Sequence, residues 1–172
     1  VNFAAESHVD RSLLDPEAFM RSNVQGVYAL LDAVKRHGKR MVQVSTDEVY
    51  GTVPEGVHTS ETYALDPRSP YSAAKAGGEL FCKSFFVSFG TDVLITRGSN
   101  TIGPRQYPEK AIPLFVTNAL MGEKLPVYGD GLQIRDWMHA DDHAAGIDLV
   151  LRKGRSGEAY NVGAGNDHPN ID

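Results

Sequence analysis

Cysteine is nearly absent from this sequence. Cys82 is the only one in 172 residues, so no disulfide can form within the chain. It stands in the apolar run Leu80-Phe81-Cys82; free cysteine is among the residue types most often buried, so a core thiol is expected. Long apolar runs are missing too. Nothing approaches the ~20 residues that span a bilayer, and no basic segment followed by an apolar stretch opens the chain. Positive charge is not in excess: 17 Lys and Arg stand against 22 Asp and Glu, a net charge of −5. That balance gives no general attraction for nucleic acid or an acidic membrane. Any anionic ligand must be held by local groups. The six His residues never fall at the spacing of a ligand cluster, so no metal is expected. A cytoplasmic protein binding neither nucleic acid nor membrane is the simplest expectation.

What is present is the composition of a folded domain, 41% apolar and 23% charged. The chain opens without Met, and Val1-Asn2-Phe3-Ala4-Ala5 reads as the tail of a buried strand. It stops at Asn170-Ile171-Asp172 without a helix or cap. A piece of a longer protein is expected. Asp15-Pro16-Glu17 gives a helix a cap, a proline at its first position and an acid in its first turn. Gly38, behind Lys35, Arg36 and His37, ends it. Met41 to Val44 reads as a strand, Thr46 to Gly51 as the loop leaving it, and Thr52 to Ser69 as a longer loop. Ser69-Pro70 starts a helix that runs to about Phe89 and stops at Gly90, and Asp92 to Thr96 is another strand. Alternating strands and helices predict a parallel sheet with helices on both faces. Beyond Gly98 the pattern loosens. A short helix around Leu114 to Met121, strands at Pro126 to Tyr128 and Gln133 to Met138, a helix at about Asp141 to Arg152 and a strand at Ala159 to Val162 are expected.

Ligands of an open parallel sheet bind beyond the C-terminal ends of its strands. Two polar clusters stand at such ends, Glu6-Ser7-His8 and Thr46-Asp47-Glu48. An Asp-Glu pair at an arbitrary position is usually solvated surface. Here a hydroxyl precedes the pair and an apolar strand aims it at the cleft, which favours function. Tyr71 and Lys75 are four apart on the following helix and share one face. A Tyr near its ordinary pKa of ~10 is a poor base, but a neighbouring ammonium favours the phenolate. A general base works best near the working pH. Tyr-x-x-x-Lys alone arises by chance in many helices. On the helix after a strand ending in Ser-Thr it is far more specific.

With those residues the sequence resembles the extended short-chain dehydrogenase/reductase family. The runs Ala4 to Ser12, Ser45 to Gly51, Pro70 to Lys75, Pro108-Glu109-Lys110 and Gln133 to Trp137 are similar to the dTDP-glucose 4,6-dehydratases within it. The resemblance covers essentially the whole chain, with separate motifs in the family's order. It implies a Rossmann-like, doubly wound parallel sheet: a partial NAD-binding domain over 1–98 with the catalytic residues, then a smaller nucleotide-sugar-binding part over most of 99–172. It also implies NAD as cofactor and dTDP-glucose as substrate. Tyr71 would deprotonate the sugar 4-hydroxyl as hydride leaves C4, Thr46 would hold the 4-oxygen, and Lys75 would hold Tyr71 and the cofactor ribose. Glu48 would remove the C5 proton, Asp47 would protonate the departing 6-hydroxyl, and hydride would return to C6. Two adjacent carboxyls can split acid and base work when their environments separate their pKa values. An epimerase of the same fold needs no such pair.

By the same resemblance, Ala4, Ala5, Ser7, Ser22 and Thr101 fall at cofactor positions. Ser7, Asn100, Lys110, Pro126, Tyr128, Arg135 and Asn170 fall at nucleotide-sugar positions, with Arg135 suited to clamp a diphosphate. His8 reads as a structural hydrogen-bonder and Trp137 as core. A homodimer is implied, through the helices containing Ala18 to Val34 and Tyr71 to Phe89. There are departures. Thr101 stands where the family has Asn, and Ala111 where it often has Leu. No G-x-G-x-x-G turn is present, and Gly163-Ala164-Gly165 is not a substitute because no helix pattern follows it. The 172 residues alone are therefore expected to have little or no activity. Ser7 and Arg11 favour dTDP-sugar relatives over a UDP-glucose 4,6-dehydratase. Intact Asp47, Glu48, Tyr71 and Lys75 argue against a non-catalytic dinucleotide-binding module.

Overall fold

In the computed structural model, which describes residues 1–170, the first helices follow their caps. A short α1 (Val9–Leu14), not expected from the sequence, precedes α2 (Pro16–Met20). Asp15 caps α2, its side chain accepting from the backbone N–H of Ala18 at 3.2 Å. A widened π-helical turn, Arg21–Gln25, links α2 to α3 (Gly26–His37), which ends at Gly38 in the left-handed region. The single helix expected from Pro16 to His37 is thus interrupted by one π turn. Such turns often mark functional sites.

Two compact units result. The first is Val1–Gly98 joined by Ala145–Val162; the second is Ser99–Ala144 with the stretch from Gly163 on. Residues 145–162 thus join the first unit.

In the first unit, β1 (Met41–Thr46), β2 (Val93–Gly98) and β5 (Ala159–Val162) form a parallel sheet in the order β1-β2-β5. The register pairs Met41 with Val93 and Thr46 with Gly98. The strand expected over Val1 to Ala5 is reduced to one parallel bridge between Asn2 and Gln43. β1 and β2 are buried along their whole length, as strands covered on both faces must be. Met41, Val93 and Ile95 pack with Val27 and Leu31 of α3 and with Cys82 and Phe85 of α4 (Pro70–Phe89). Val42, Val44 and Leu94 pack on the other face with Ile147 and Val150 of α6 (Ala140–Lys153). Each such aliphatic side chain contributes ~1.5–3 kcal/mol when fully buried. Reciprocal bonds between Ser69 and Ser72, at 3.0 and 3.1 Å, cap α4, and Gly90 closes it at φ 65.

In the second unit, β3 (Asn100–Ile102) runs parallel to β4 (Ile134–His139), and β6 (Asp167–Pro169) antiparallel to it. α5 (Ala111–Met121) lies between β3 and β4 in the chain. Two expectations need correcting. Residues 126–128 are exposed and lie in no strand, because Pro126 lacks a ladder donor and Gly129 turns the chain at φ 60. Trp137 is only half-buried; its neighbour Met138, at 5% exposure, takes the core position. β6 was not foreseen. Among the described residues no helix is long and apolar enough to cross a membrane.

Candidate active site

β1 ends by turning its last residue into a cap. Thr46 is extended, and its Oγ1 accepts from the backbone N–H of Glu48 at 3.2 Å while approaching Asp47 Oδ1 at 3.2 Å. That bond starts the 3-10 turn Asp47–Tyr50, which presents both acids just beyond the C-terminal end of the strand. Both acids are half-buried, whereas Val49 and Tyr50 are buried beneath them.

α4 brings Tyr71 and Lys75 to the same end of the sheet. Lys75 is 7% exposed and donates from Nζ to the carbonyl oxygen of Val44 at 2.7 Å. Burial lowers its pKa to about 8, against the opposing pull of Glu79 and Cys82. Tyr71 packs edge-on against Phe19, with ring centres 6.3 Å apart. Its pKa is raised, first by burial and next by the Glu48 carboxylate; a hydrogen bond with Thr46 opposes the rise, and Asp47 adds to it. The net direction is opposite to the one expected from Lys75 alone. Thr46, Asp47, Glu48, Tyr71 and Lys75 are thus brought together within the first unit, with Tyr71 feeling both carboxylates. Cys82 is fully buried in the core, and burial, helped by Glu79, pushes its thiol up to about 12.

The other first-unit candidates lie along the opening segment and the π turn. The Ala4 N–H donates to Asn2 Oδ1 at 3.1 Å; Ala5 is half-buried and Ser7 exposed. Ser22 Oγ accepts from the Glu6 N–H at 3.1 Å. Beside it the buried Asn23 holds Glu6 on both sides, accepting from its N–H at 3.0 Å and donating to its carbonyl at 2.9 Å. Asn23 positions this segment, a role the sequence reading missed.

In the second unit, Asn100 opens β3 opposite Trp137. Thr101 lies 2.9 Å from His143 Nδ1. Lys110 is the residue preceding α5. Pro126, Tyr128 and Arg135 are exposed, and the Asn170 N–H donates to the Gln133 carbonyl at 3.0 Å. Gly163-Ala164-Gly165 also finds its place. Asp136 accepts from the N–H groups of Ala164 at 2.8 Å and Asn166 at 3.0 Å. Burial pushes the Asp136 pKa up, but these backbone donors outweigh it and leave it lowered. A Cβ on Gly163 would meet Asp136 Oδ2 at 2.6 Å. The turn cradles the protein's own carboxylate.

Sequence reasoning also missed Glu79, Arg97 and Tyr50, which form a buried polar network in the first unit. Two signals were available: Glu79 lies one turn beyond Lys75, and Arg97 follows the apolar strand Val93-Leu94-Ile95. Among the described residues, no group of three or more His, Cys, Asp or Glu side chains is placed to hold a metal.

A parallel sheet with helices on both faces, a Thr-Asp-Glu turn at a strand end and a Tyr-x-x-x-Lys helix beside it define the Rossmann-like fold of the short-chain dehydrogenase/reductases. The chain belongs to the GDP-mannose 4,6 dehydratase family, which it matches over residues 1–172. It is 55% identical over 166 residues to a dTDP-glucose 4,6-dehydratase of Streptomyces griseus, covering 96% of this chain and 50% of that one. With the dTDP-glucose 4,6-dehydratase of Streptomyces antibioticus it shares 53% identity, covering 100% of this chain and 51% of the relative. The structure of the dTDP-glucose 4,6-dehydratase from Streptomyces venezuelae, with NAD bound, superposes with a TM-score of 0.95 at 52% identity, over 98% of this chain and 52% of that one. The chain therefore spans about half the length of the curated relatives it matches.

Proposed function

We propose that the full-length protein is an NAD-dependent dTDP-glucose 4,6-dehydratase acting in the cytoplasm on a route to deoxysugars such as rhamnose. The observation that carries this reading is the Asp47-Glu48 pair, set by Thr46 on a turn whose two carboxylates act on Tyr71. Oxidation of a sugar hydroxyl alone requires the Tyr and Lys. A neighbouring acid and base are what elimination of water adds.

The residues present fit the reactive end of a dinucleotide. Lys75 has three donor hydrogens and gives one to Val44, while Tyr71 and Thr46 add hydroxyls beside it. Tyr71, Lys75, Ser7 and Ser22, with the backbone at Ala4 and Ala5, would hold the cofactor in the first unit. NAD, when bound, supplies the acceptor for the C4 hydride and the donor that reduces C6. Tyr71 accepts the proton of the 4-hydroxyl, and Thr46 steadies the 4-oxygen. The resulting ketone acidifies the C5 hydrogen, which Glu48 removes as a proton. Asp47 gives a proton to the 6-hydroxyl, water leaves across C5–C6, and Glu48 returns its proton to C5 when C6 is reduced. In the second unit, Asn100, Lys110, Pro126, Tyr128, Arg135 and Asn170 are the candidates for the nucleotide sugar, and Thr101 for the cofactor.

We also propose a homodimer through α3 and α4. Both helices expose large apolar side chains in water, among them Tyr28, Leu80, Val87 and Phe89 at 50%, 57%, 81% and 54%.

The test is Glu48→Gln in the full-length protein. Turnover of dTDP-glucose should fall by at least ~10²-fold, the scale of a lost general base, with nucleotide-sugar affinity retained. Undiminished turnover contradicts the assignment.

A further inference from the structure

Arg97 is a charged side chain only 1% exposed, facing Glu79 at 0%. Burying such a pair usually costs more than the attraction returns unless its geometry is good and every remaining donor is satisfied. Here the pairing is forked and all three guanidinium nitrogens find acceptors. Arg97 Nη2 and Nε donate to Glu79 Oε2 at 2.7 and 3.0 Å, and Nε also reaches Oε1 at 3.3 Å. The third nitrogen, Nη1, donates to the Tyr50 hydroxyl at 2.8 Å and to the Glu61 carbonyl at 3.0 Å. The guanidinium also lies 4.9 Å from the centre of the Tyr50 ring.

The network extends from there. The Tyr50 hydroxyl donates to Asn161 Oδ1 at 2.6 Å, and Asn161 Nδ2 donates to the Thr59 carbonyl at 2.8 Å. The Asn161 N–H donates to Glu61 Oε1 at 3.0 Å. Burial pushes the Tyr50 pKa up, which keeps it a neutral donor. On its far side the same loop is stapled to the turn, the Asp66 N–H donating to the Val49 carbonyl at 3.0 Å.

One side chain therefore touches three elements. Glu79 is on α4, one turn beyond Lys75 and two beyond Tyr71. Tyr50 closes the turn that begins with Asp47 and Glu48. Glu61 is in the loop above both. We propose that Arg97 is a positioning residue: its fork, clamped by Glu79, holds the Asp47-Glu48 turn and the 59–66 loop in register with the helix that carries Tyr71 and Lys75. The inference rests on the functional reading above for its consequence in turnover. A charge that only neutralised Glu79 would need no fork. A fork that positions two further segments does.

Three variants of the full-length protein separate these roles. Arg97→Lys keeps a positive charge against Glu79 but loses the planar, multiply donating head. We expect kcat on dTDP-glucose to fall roughly 10- to 100-fold, the scale of a misplacement near 1 Å, with KM changed by less than about threefold and faster amide hydrogen exchange in both 47–50 and 59–66. Glu79→Gln, which leaves the fork without its anionic clamp, should move the same readouts in the same direction. Tyr50→Phe keeps the ion pair and removes one hydroxyl; kcat should fall about three- to tenfold, with faster exchange in 59–66. Wild-type kcat in Arg97→Lys, or activity lost only in proportion to the folded fraction, overturns the proposal. So does Tyr50→Phe with unchanged kcat and exchange, which also decides the matter if the charged variants fail to fold. A wild-type protein inert toward nucleotide sugars fails the functional reading instead. The exchange measurement then decides the inference alone, and unchanged protection of 47–50 and 59–66 in the variants refutes it.

Discussion

The Nζ of Lys75 lies 2.7 Å from the carbonyl oxygen of Val44, two residues before Thr46. That bond ties the Tyr-Lys helix directly to the strand that delivers the Thr-Asp-Glu turn, so both halves of the proposed chemistry share one frame. It also removes the ammonium from water, which lowers its pKa to about 8 despite the nearby Glu79 carboxylate.

A pH dependence follows from that burial. Lys75 is charged below about 8 and loses its proton above it, and the proposed role requires the charged form. The basic limb of kcat/KM, which reports the free enzyme, should therefore fall as pH rises through about 8. The stability effect has the opposite sign. Between about 8 and the ordinary 10.5 the unfolded chain binds the proton that the folded chain has lost, so this group makes folding more favourable as pH rises through that window. Urea titrations of wild type and Lys75→Met across that range should show the difference. A kcat/KM profile flat to pH 10 contradicts the assignment.

Gly51 follows the same turn with φ 72, and a Cβ there would lie 2.0 Å from the Asp66 carbonyl oxygen. Neither the conformation nor the space admits another residue. Gly51→Ala should cost at least ~1–3 kcal/mol, the range for strained backbone and overpacking, and urea denaturation measures it. Kinetics on the folded fraction should also show a lower kcat, since Asp66 anchors the loop to Val49. A loss below 0.5 kcal/mol, the scatter of ordinary surface changes, contradicts this reading.

Much of the fold was legible because local signals agreed with the tertiary structure. Asp15, Ser69, Gly38 and Gly90 start and stop helices where their chemistry directs. The uninterrupted burial of β1 and β2 matches their apolar runs. Elsewhere long-range pairing decided the outcome. Residues 126–128 lie in no strand although Val127 and Tyr128 favour one, while Asp167 to Pro169 pair with β4 despite a polar sequence. The opening segment keeps one bridge at Asn2.

At the site, Thr46, Asp47, Glu48, Tyr71 and Lys75 were legible because each sits at a fixed offset from a strand end or on one helix face. Arg97, Glu79 and Tyr50 were not, because each meets its partners across at least eighteen residues of sequence. The direction of the Tyr71 shift was also hidden. Spacing places Lys75 beside Tyr71, but only the folded turn sets Glu48 and Asp47 against it.

The central claim is that one active centre oxidises C4, eliminates water across C5–C6 and reduces C6. Incubating the full-length protein with dTDP-glucose carrying deuterium at C4, followed by mass and NMR analysis of the product, tests it most directly. We predict a 4-keto-6-deoxy product with the deuterium at C6. Deuterium released to solvent, or retained at C4 of an unreacted or epimerised sugar, would contradict the account.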